Sequence, residues 1–316
     1  MKTERLKIIF KDVRGEKKFN ELMRNYTSFR IGGDADLLIF PENIDDLKNV
    51  LCICHDKKIP LFILGFGTNL LIKDGGIRGV VVSLNEGFNY ISDLGFLISD
   101  FKFQIQNPKF KIIRAGAGAG LQVLVNFALK NELAGMEFAV GIPGSVGGAV
   151  IMNAGIRDGE MKDIVKSVKI MTDDGETKVL KNEDIGFSYR NSDFPEGSVV
   201  LETDIVLKNG NSRDIKKMMK LLIADRKSKQ PLSSYCAGSV FKNPPNDFAG
   251  RLIELAGLKA FSIGDAAVSE VHSNFIVNRG KAAASDVLRL IESIKERVFT
   301  RTGISLEEEI KIVGED

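Results

Sequence analysis

The chain has 316 residues, which exceeds one typical domain and predicts two or three modules that share an interface. Its hydrophobic content of 44% and charged content of 27% are those of an ordinary soluble globular protein and exclude a disordered or fibrous chain. With 44 basic and 42 acidic residues, the net charge of +2 is too small to indicate nucleic acid or a membrane surface as a partner.

Cysteine usage and apolar runs indicate a reducing compartment. Cys52, Cys54 and Cys236 cannot form a full set of disulfides, and no apolar signal segment opens the sequence. No apolar run reaches the roughly 20 residues that span a bilayer, so we expect a cytoplasmic protein without a membrane segment. Cys52 and Cys54 lie two apart in a predicted helix and point to different faces, so we expect them in the core and expect no metal site.

Periodicity in the first hundred residues predicts one helix and two buried strands. Residues 44–55 place apolar side chains on one helical face after Asn43, a candidate N-cap. Segments 59–64 and 79–84 are typical of buried strands, and the glycine-rich stretch GFGTNLLI lies between them. This part of the chain is therefore rich in βα units, with a strand that ends in a glycine loop.

The middle of the chain predicts a strand, a helix and a second glycine-rich region. Residues 85–110 predict a hairpin or an irregular excursion, and FKIIRAGAGAG then predicts a strand that runs into alternating glycines. Segment 141–155 holds five glycines, so we expect no regular element along much of its length. The helix between them would end at Gly135 and bury one face, formed by Leu121, Leu124, Val125 and Ala128.

The last part of the chain predicts strands followed by helices. Strand patterns fill residues 164–207 around an Asp174–Gly175 turn and predict a separate α+β section. We expect Met218 and Met219 in the core rather than at a cofactor. Two later helices are marked by Ile215, Met218, Met219 and Leu222 and, before Gly303, by Val287, Ile291, Ile294 and Val298.

Three glycine-rich stretches, at 65–69, 116–120 and 141–148, are candidates for phosphate binding. Glycine lets backbone N–H groups approach an anion closely, although each stretch taken alone is more often a tight turn. GAGAG lacks the later glycine of G-x-G-x-x-G, and GFGTNLL lacks the Lys-Ser or Lys-Thr of a P-loop. These departures disfavour a Rossmann NAD domain and an ATPase, whereas three loops together favour one large dinucleotide bound between modules.

Ser239 stands in the stretch YCAGSVFKNP, where a nucleophilic serine would need a neighbouring base. The chain has two histidines, His55 and His272, and no G-x-S-x-G surrounds Ser239. A loop serine on its own more often bonds its own backbone. The role of Ser239 therefore depends on the residues around it.

Six segments in series resemble the UDP-N-acetylenolpyruvoylglucosamine reductase (MurB) family of flavoenzymes. They are NYTSFRIGGDADLL, LGFGTNLLIKDGGIRGVV, EFAVGIPGSVGGAVIMNAG, GFSYRNSDF, AGSVFKNP and LEEEIKIVG, and they cover nearly the whole chain in the right order. The short distance from GFSYR to AGSVFKNP leaves no room for the extra insertion of the longer form, so the chain resembles the shorter, type II form of the family. The resemblance implies an α+β fold, with a two-part FAD-binding region of the vanillyl-alcohol-oxidase/PCMH type followed by an α+β substrate-binding domain. With boundaries near 93 and 208, the three parts are 1–93, 94–207 and 208–316.

The resemblance implies an NADPH-dependent reductase that converts UDP-N-acetylglucosamine enolpyruvate to UDP-N-acetylmuramate for peptidoglycan, with FAD and NADPH as cofactors. Hydride would pass through flavin N5 to C3 of the enolpyruvyl group, and C2 would need a proton. Ser239 matches the proton donor, Arg190 the arginine that supports the developing enolate, and Glu309 the catalytic carboxylate. Strand alternation would place Glu308 instead on the apolar face, whereas the family pattern selects Glu309.

The resemblance also assigns binding residues. Lysines suit phosphate as compact charges, and Tyr189 is either a substrate contact or a packed aromatic residue. The substrate or NADPH would contact Tyr189, Lys229, Lys242 and Asn243, and no obligate protein partner is evident. FAD would contact Gly65, Phe66, Gly67, Thr68, Asn69, Leu70, Gly118, Gly141, Ile142, Pro143, Gly144, Ser145, Gly148, Asn153, Ala154 and Gly155.

Three other readings stay open at this level. Another FAD-dependent oxidoreductase of the same fold would keep the glycine loops but need not keep Ser239, Arg190 and Glu309 together. A non-catalytic nucleotide-binding module would bind FAD or a UDP-sugar without turnover. A dehydrogenase that uses only NAD is the third, and the missing dinucleotide fingerprint weakens it.

Overall fold

The computed structural model describes residues 3–96 and 109–316. Residues 91–96 form a strand that pairs antiparallel with residues 110–116. The remainder of the predicted hairpin or excursion, residues 97–108, lies outside the described residues.

The first unit is built on a four-stranded sheet. Its elements are α1 (Thr3–Ile9), β1 (Glu16–Leu22), β2 (Asp34–Phe40), α2 (Ile44–Asp56), β3 (Leu61–Leu64), β4 (Leu70–Ile72) and β5 (Ile77–Ser83). The strand order is β1-β2-β5-β3, with β1 antiparallel to β2 and β5 parallel to both of its neighbours. The predicted helix and its cap are confirmed, because Asn43 Oδ1 accepts the amide hydrogen of Asp46 at 3.0 Å.

Both faces of this sheet are buried, which explains the continuous apolar runs in its strands. Leu37 and Ile39 of β2 pack into the large core that this unit shares with the next one, whereas Leu38 and Phe40 pack into a smaller core on the opposite face. A strand that is buried on both faces has no need to alternate apolar with polar residues. Strand β3 ends at Leu64, where the first glycine loop begins.

The second unit is an antiparallel sheet with helices on one side. Its strand order is β12-β11-β13-β7-β6, with β8 paired to β13. The elements are β6 (Ile91–Phe96), β7 (Phe110–Gly116), α3 (Leu121–Lys130), β8 (Leu133–Ala134), α4 (Val146–Ile151), β9 (Gly155–Ile156), β10 (Gly159–Glu160), β11 (Val165–Met171), β12 (Thr177–Lys181) and β13 (Val199–Asn209). The predicted apolar face of α3 is buried as expected.

Two helices of this unit end or lie where the glycine pattern does not indicate them. The glycine-rich segment 141–155 has no helix or strand at 141–145 and 152–154, as expected, but its middle forms the helix α4, because Ser145 caps it and its apolar residues are buried. Helix α3 ends at Lys130 with Asn131 as its C-cap, well before Gly135, which instead follows β8 with a φ of 118°. In both cases contacts made by the folded chain, rather than glycine content, decide where the helix lies.

The third unit carries two long helices and a small sheet. Its elements are α5 (Ser212–Lys229), α6 (Ala249–Leu255), β14 (Ser262–Ile263), β15 (Ala266–Val268), β16 (Ile276–Asn278), α7 (Ala284–Thr302) and β17 (Lys311–Val313). Gly303, with a φ of 73°, ends α7 as predicted. Strand β17 pairs parallel with β4, so the end of the chain returns to the first unit.

The interfaces between units are more extensive than the predicted boundaries suggest. Ile215 and Met219 of α5 pack into the core of the second unit, whereas Met218 is 50% exposed, so its expected burial is wrong. Strand β6 crosses residue 93 and belongs entirely to the second sheet. Both boundary positions, near 93 and 208, fall inside strands, β6 and β13, and the boundaries remain predictions.

Asp74 ties the first unit to helix α7. Its Oδ1 accepts from the amide of Ala284 at 2.8 Å and its Oδ2 from the amide of Ser285 at 2.9 Å. Burial alone would raise the pKa of Asp74, but these hydrogen bonds outweigh burial and hold the pKa below its ordinary value. The carboxylate thus acts as an N-cap supplied from a distant part of the chain.

We expect Asp74→Ala to lower the free energy of unfolding by about 1 kcal/mol at about pH 7, as loss of an N-cap does. Because the pKa of Asp74 is lower in the folded than in the unfolded protein, its ionised carboxylate stabilises the folded protein at pH values above the unfolded pKa. This stabilisation is lost as the pH falls through the folded pKa. The difference from the parent protein should therefore shrink below about pH 4 in urea unfolding. Replacement of the exposed Asp12 by alanine is the control. An equal loss of stability in Asp74→Ala at about pH 7 and below about pH 4 would contradict the role of Asp74 as an ionised N-cap.

Candidate active site

The three units meet around a cavity of about 930 Å³. Ligand sites in proteins have volumes of roughly 300–1,000 Å³, so this one lies at the large end of the range. Its walls combine the backbone of two glycine-rich segments, 65–70 and 142–148, with the side chains of Arg190, Ser239 and Glu309. The cavity thus brings the predicted cofactor loops and the predicted catalytic residues to one place.

The first glycine loop leaves β3 and presses against its neighbours. Gly67 has a φ of 62°, and a Cβ at this position would lie 2.1 Å from the carbonyl oxygen of Tyr26. A Cβ on Gly65 would lie 2.7 Å from Ser145 Oγ of the second loop. Thr68 Oγ1 donates to the carbonyl oxygen of Pro143 at 3.2 Å and joins the two loops. Only glycine permits this close approach of backbone segments.

The second glycine-rich segment is fixed by the loop that follows β7. The amide of Val146 donates to the carbonyl oxygen of Ala119 at 2.8 Å, and the amide of Leu121 donates to that of Gly144 at 2.9 Å. A Cβ on Gly147 would lie 2.8 Å from the Cβ of Ala117. The result is a cradle in which the backbone of two glycine-rich segments forms part of the cavity wall, which fits the pyrophosphate of a dinucleotide such as FAD.

Most of the predicted cofactor residues line the cavity, and three do not. A Cβ on Gly118 would lie 1.7 Å from the carbonyl oxygen of Leu84, so Gly118 packs against backbone instead. Gly141 and Asn153 are also outside the lining, and the side chain of Asn153 is fully buried elsewhere. The lining residues are Gly65, Phe66, Gly67, Thr68, Asn69, Leu70, Ile142, Pro143, Gly144, Ser145, Gly148, Ala154 and Gly155.

Ser239 and Glu309 are held next to each other by backbone hydrogen bonds. Ser239 follows Gly238, whose φ of 80° is a conformation that favours glycine. Val240, the residue after Ser239, accepts at its carbonyl oxygen from the amides of Glu309 at 2.7 Å and Ile310 at 3.4 Å. Two segments almost seventy residues apart therefore form one wall of the cavity.

Arg190 reaches this wall from the second unit. Its Nε donates to Glu309 Oε1 at 2.9 Å, and its Nη2 donates to the carbonyl oxygen of Gly155 at 3.0 Å. The Arg190 side chain is 21% exposed and that of Glu309 is 15% exposed. A guanidinium held at two points in a partly buried cavity is well placed to stabilise negative charge on a ligand.

Burial has the largest effect on the pKa of Glu309. It raises the pKa because the charged form loses water, while the positive charges of Arg190 and Lys242 act in the opposite direction. The pKa remains above its ordinary value. Protonation of Glu309 is therefore sensitive to the position of Arg190.

The two neighbouring glutamates point to different partners. Glu308 Oε1 accepts from Lys295 of α7 at 2.9 Å, whereas Glu309 faces Arg190. Simple strand alternation fails at this point because consecutive amides, of Glu309 and Ile310, share one carbonyl acceptor, and the regular strand begins only at Lys311. The geometry thus agrees with the carboxylate selected by the family pattern.

The four predicted substrate residues differ in whether they line the cavity. Among the four, Lys229 lies in the cavity lining, where its Nζ is 2.5 Å from Asp225. Tyr189 is 48% exposed, with the Arg190 guanidinium 5.2 Å from its ring centroid. The other two have partners outside the lining, since Lys242 pairs with Glu307 and Asn243 accepts from the amide of Ala249.

Sequence reasoning missed Arg226, which lines the cavity from α5. Its Nε is buried without a hydrogen-bond partner among the described residues, and its Nη2 reaches Gln230 at 3.3 Å. Burial lowers the pKa of this guanidinium. Asn85 Oδ1 is a second buried lining atom without a partner in the described part of the chain. The pattern RKSKQP contains Arg226 and would have identified it as a second cation beside Lys229.

The glycine cradle and the Ser, Arg and Glu wall define a flavin-dependent oxidoreductase. Residues 35–181 match a family model described as an FAD binding domain, and residues 230–313 match the C-terminal domain of UDP-N-acetylenolpyruvoylglucosamine reductase. The predicted α+β fold, with a two-part FAD-binding region and a following α+β domain, is confirmed.

Relatives with established names cover nearly the whole chain. The UDP-N-acetylenolpyruvoylglucosamine reductase of Caldanaerobacter subterraneus subsp. tengcongensis is 47% identical over 99% of this chain and 98% of its own, and that of Clostridioides difficile is 46% identical over 95% and 94%. The crystal structure of MurB from Thermus caldophilus is similar with a TM-score of 0.78 and 36% identity, over 95% of this chain and 98% of the other. The chain belongs to the UDP-N-acetylenolpyruvoylglucosamine reductase family.

We expect Arg190→Ala to raise the pKa of Glu309 further, because burial would then act without the opposing charge of the guanidinium. Infrared pH titration of the carboxyl band, assigned by its loss in Glu309→Gln, measures this pKa. Arg157→Ala is the matched control, since Arg157 lines the same cavity but is exposed. An unchanged titration in Arg190→Ala would show that the ion pair does not control the carboxyl group.

Proposed function

We propose that the protein is an NADPH-dependent flavoprotein reductase that converts UDP-N-acetylglucosamine enolpyruvate to UDP-N-acetylmuramate for peptidoglycan synthesis. The observation that carries this proposal is the Arg190–Glu309 ion pair, at 2.9 Å, in a cavity that also contains Ser239 and the FAD cradle. A family member with the same fold but another substrate would need only the cradle. The membership of the family supports the same reaction.

Bound FAD would supply hydride transfer, from NADPH to the C3 carbon of the enolpyruvyl group. The C2 carbon then carries carbanion or enolate character and needs a proton. We assign this proton to Ser239 Oγ, because a carbanion is basic enough to take it and no prior base is required. The serine alkoxide is restored by a proton from solvent, so the reaction adds one hydride and one proton across the double bond.

Arg190 and Glu309 have electrostatic roles in this scheme. The substrate carboxylate shares the charge that develops at C2, and the Arg190 fork suits a carboxylate. Glu309 holds the Arg190 guanidinium at Nε, so other N–H groups of the guanidinium remain available to the ligand. Burial lowers the cost of protonating Glu309, which limits repulsion between this carboxyl group and the developing enolate.

Arg226 and Lys229 are the cations that we assign to a ligand diphosphate. Both line the cavity from α5, and the Nε of Arg226 lacks a partner among the described residues. A partly buried guanidinium whose Nε is buried without a partner is costly unless a ligand supplies an acceptor and the opposite charge. Tyr189, Lys242 and Asn243 stay proposed contacts of the substrate or NADPH.

We also propose that the protein acts in the cytoplasm. Cys52, Cys54 and Cys236 are free, as expected for a reducing compartment. Within the described residues, every helix is too short or too polar to cross a bilayer.

The proposal is tested by an anaerobic flavin spectrum of the purified protein. NADPH should bleach the oxidised flavin band, and UDP-N-acetylglucosamine enolpyruvate should restore it. A flavin that bleaches but stays reduced would favour an oxidoreductase of the same fold with another substrate. Protein that cannot be reconstituted with FAD would overturn the proposal.

We expect Ser239→Ala to leave flavin reduction by NADPH within about twofold of the parent rate but to slow reoxidation by the enolpyruvyl sugar about 100-fold or more. The reason is that the hydroxyl proton is used only in the second half-reaction. Stopped-flow absorbance of each half-reaction separates the two, and the exposed Ser233→Ala is the control. Equal loss in both half-reactions would argue against a proton donor.

We expect Arg226→Ala to weaken UDP binding by about 10- to 100-fold, the range for a lost charged hydrogen bond. The same change should not lower thermal stability without ligand, because it removes an uncompensated buried charge. Calorimetric titration with UDP and a thermal melt give both quantities, and the exposed Lys227→Ala is the control. Unchanged UDP affinity would remove Arg226 from the diphosphate site.

A further inference from the structure

Asn153 is fully buried beneath the turn that carries Arg190. Its Nδ2 donates to the carbonyl oxygen of Ser188 at 2.9 Å, and its Oδ1 accepts from the amide of Lys162 at 2.9 Å. Both ends of the side-chain amide are thus bonded to backbone, and the residue is not among those that line the cavity. These contacts give Asn153 a structural connection to the active site rather than direct access to a ligand.

The turn above Asn153 is short and strained. Ser188 and Asn191 exchange backbone hydrogen bonds of 3.0 and 3.2 Å and so close a turn with Tyr189 and Arg190 at its centre. Arg190 has a φ of 57°, in the left-handed region that is unfavourable for a residue with a side chain. Such a conformation persists only where surrounding contacts enforce it.

Three hydrogen bonds clamp this turn to the segment 151–155. Besides the amide of Asn153, Ser192 Oγ donates to the carbonyl oxygen of Ile151 at 2.7 Å, and Arg190 Nη2 donates to that of Gly155 at 3.0 Å. Asn153 is the central member and also bonds Lys162, so it couples the turn to a third segment. Loss of its side chain would release Ser188, the first residue of the turn, and leave only the bonds made by Arg190 and Ser192.

We propose that Asn153 is a positioning residue that holds Arg190 against Glu309, and not a ligand of the flavin. The inference rests on the proposed function for its kinetic consequence but not for its structural one. If the turn moves, the Arg190 guanidinium no longer offsets the effect of burial on Glu309. The carboxyl group then titrates at higher pH, and the charge that develops on the substrate loses its support.

The test variant is Asn153→Gly. Asn153 has a φ of 42°, which glycine adopts without strain, so this substitution removes the side-chain amide and keeps the backbone conformation accessible. Asn182→Ala is the matched control, because Asn182 Nδ2 also bonds backbone nearby, at Lys162 and Val165, but has no bond to the turn. Both variants are compared with the parent protein in its FAD-loaded form.

We expect Asn153→Gly to retain flavin content and reduction by NADPH while reoxidation by the enolpyruvyl sugar slows by about 10- to 100-fold. Infrared titration should show Glu309 protonating at higher pH than in the parent, whereas Asn182→Ala should titrate like the parent. Ser192→Ala, which removes another bond of the clamp from a half-buried residue, should shift Glu309 in the same direction by less.

Two outcomes would overturn the inference. One is an unmoved Glu309 titration in Asn153→Gly, whatever Ser192→Ala shows, and the other is loss of flavin as the main effect of Asn153→Gly. Failure of the proposed function has a different signature, because the parent protein itself would not be reoxidised by the enolpyruvyl sugar. The Glu309 titration needs no substrate and decides the positioning role in either case.

Discussion

The arrangement of the active site depends on one ion pair, between Arg190 of the second unit and Glu309 of the third. Charges in a partly buried cavity are unfavourable unless they are paired and hydrogen-bonded, so neither residue is stable there without the other. The pair in turn requires that the C-terminal chain return across the first unit, as it does where β17 joins β4. The reactive wall therefore contains residues that the first unit alone cannot supply, because Arg190 comes from the second unit and Glu309 from the third.

The opposite side of the cavity is shaped by backbone contact rather than by charge. At Gly67 an added Cβ would overlap the carbonyl oxygen of Tyr26 within the first unit, and at Gly65 it would meet the hydroxyl group of Ser145 in the second unit. These positions let separate segments of the backbone touch at the cavity wall. A large anionic cofactor is held well by such a wall because many weak N–H donors can face it without the entropy loss of long side chains.

Local sequence patterns were sufficient to predict the elements whose stability depends on neighbours close in sequence. The apolar faces of α2 and α3 follow from period 3.6, and the end of α7 follows from Gly303. The helix α4 could not be predicted in this way, because tertiary burial offsets its glycines. Likewise, the choice between Glu308 and Glu309 depends on hydrogen bonds to Val240, almost seventy residues away, and came only from the family resemblance.

Hydrogen-bond satisfaction separates two kinds of polar residue in and around the cavity. Arg226 and Asn85 line the cavity with a buried polar atom that has no partner among the described residues, so each gains from a ligand that supplies one. Asn153 has backbone partners at both ends of its amide, and a ligand would have to break a bond to gain one. Arg226 and Asn85 are therefore placed to act on the ligand directly, whereas Asn153 acts through Arg190, the side chain that it holds.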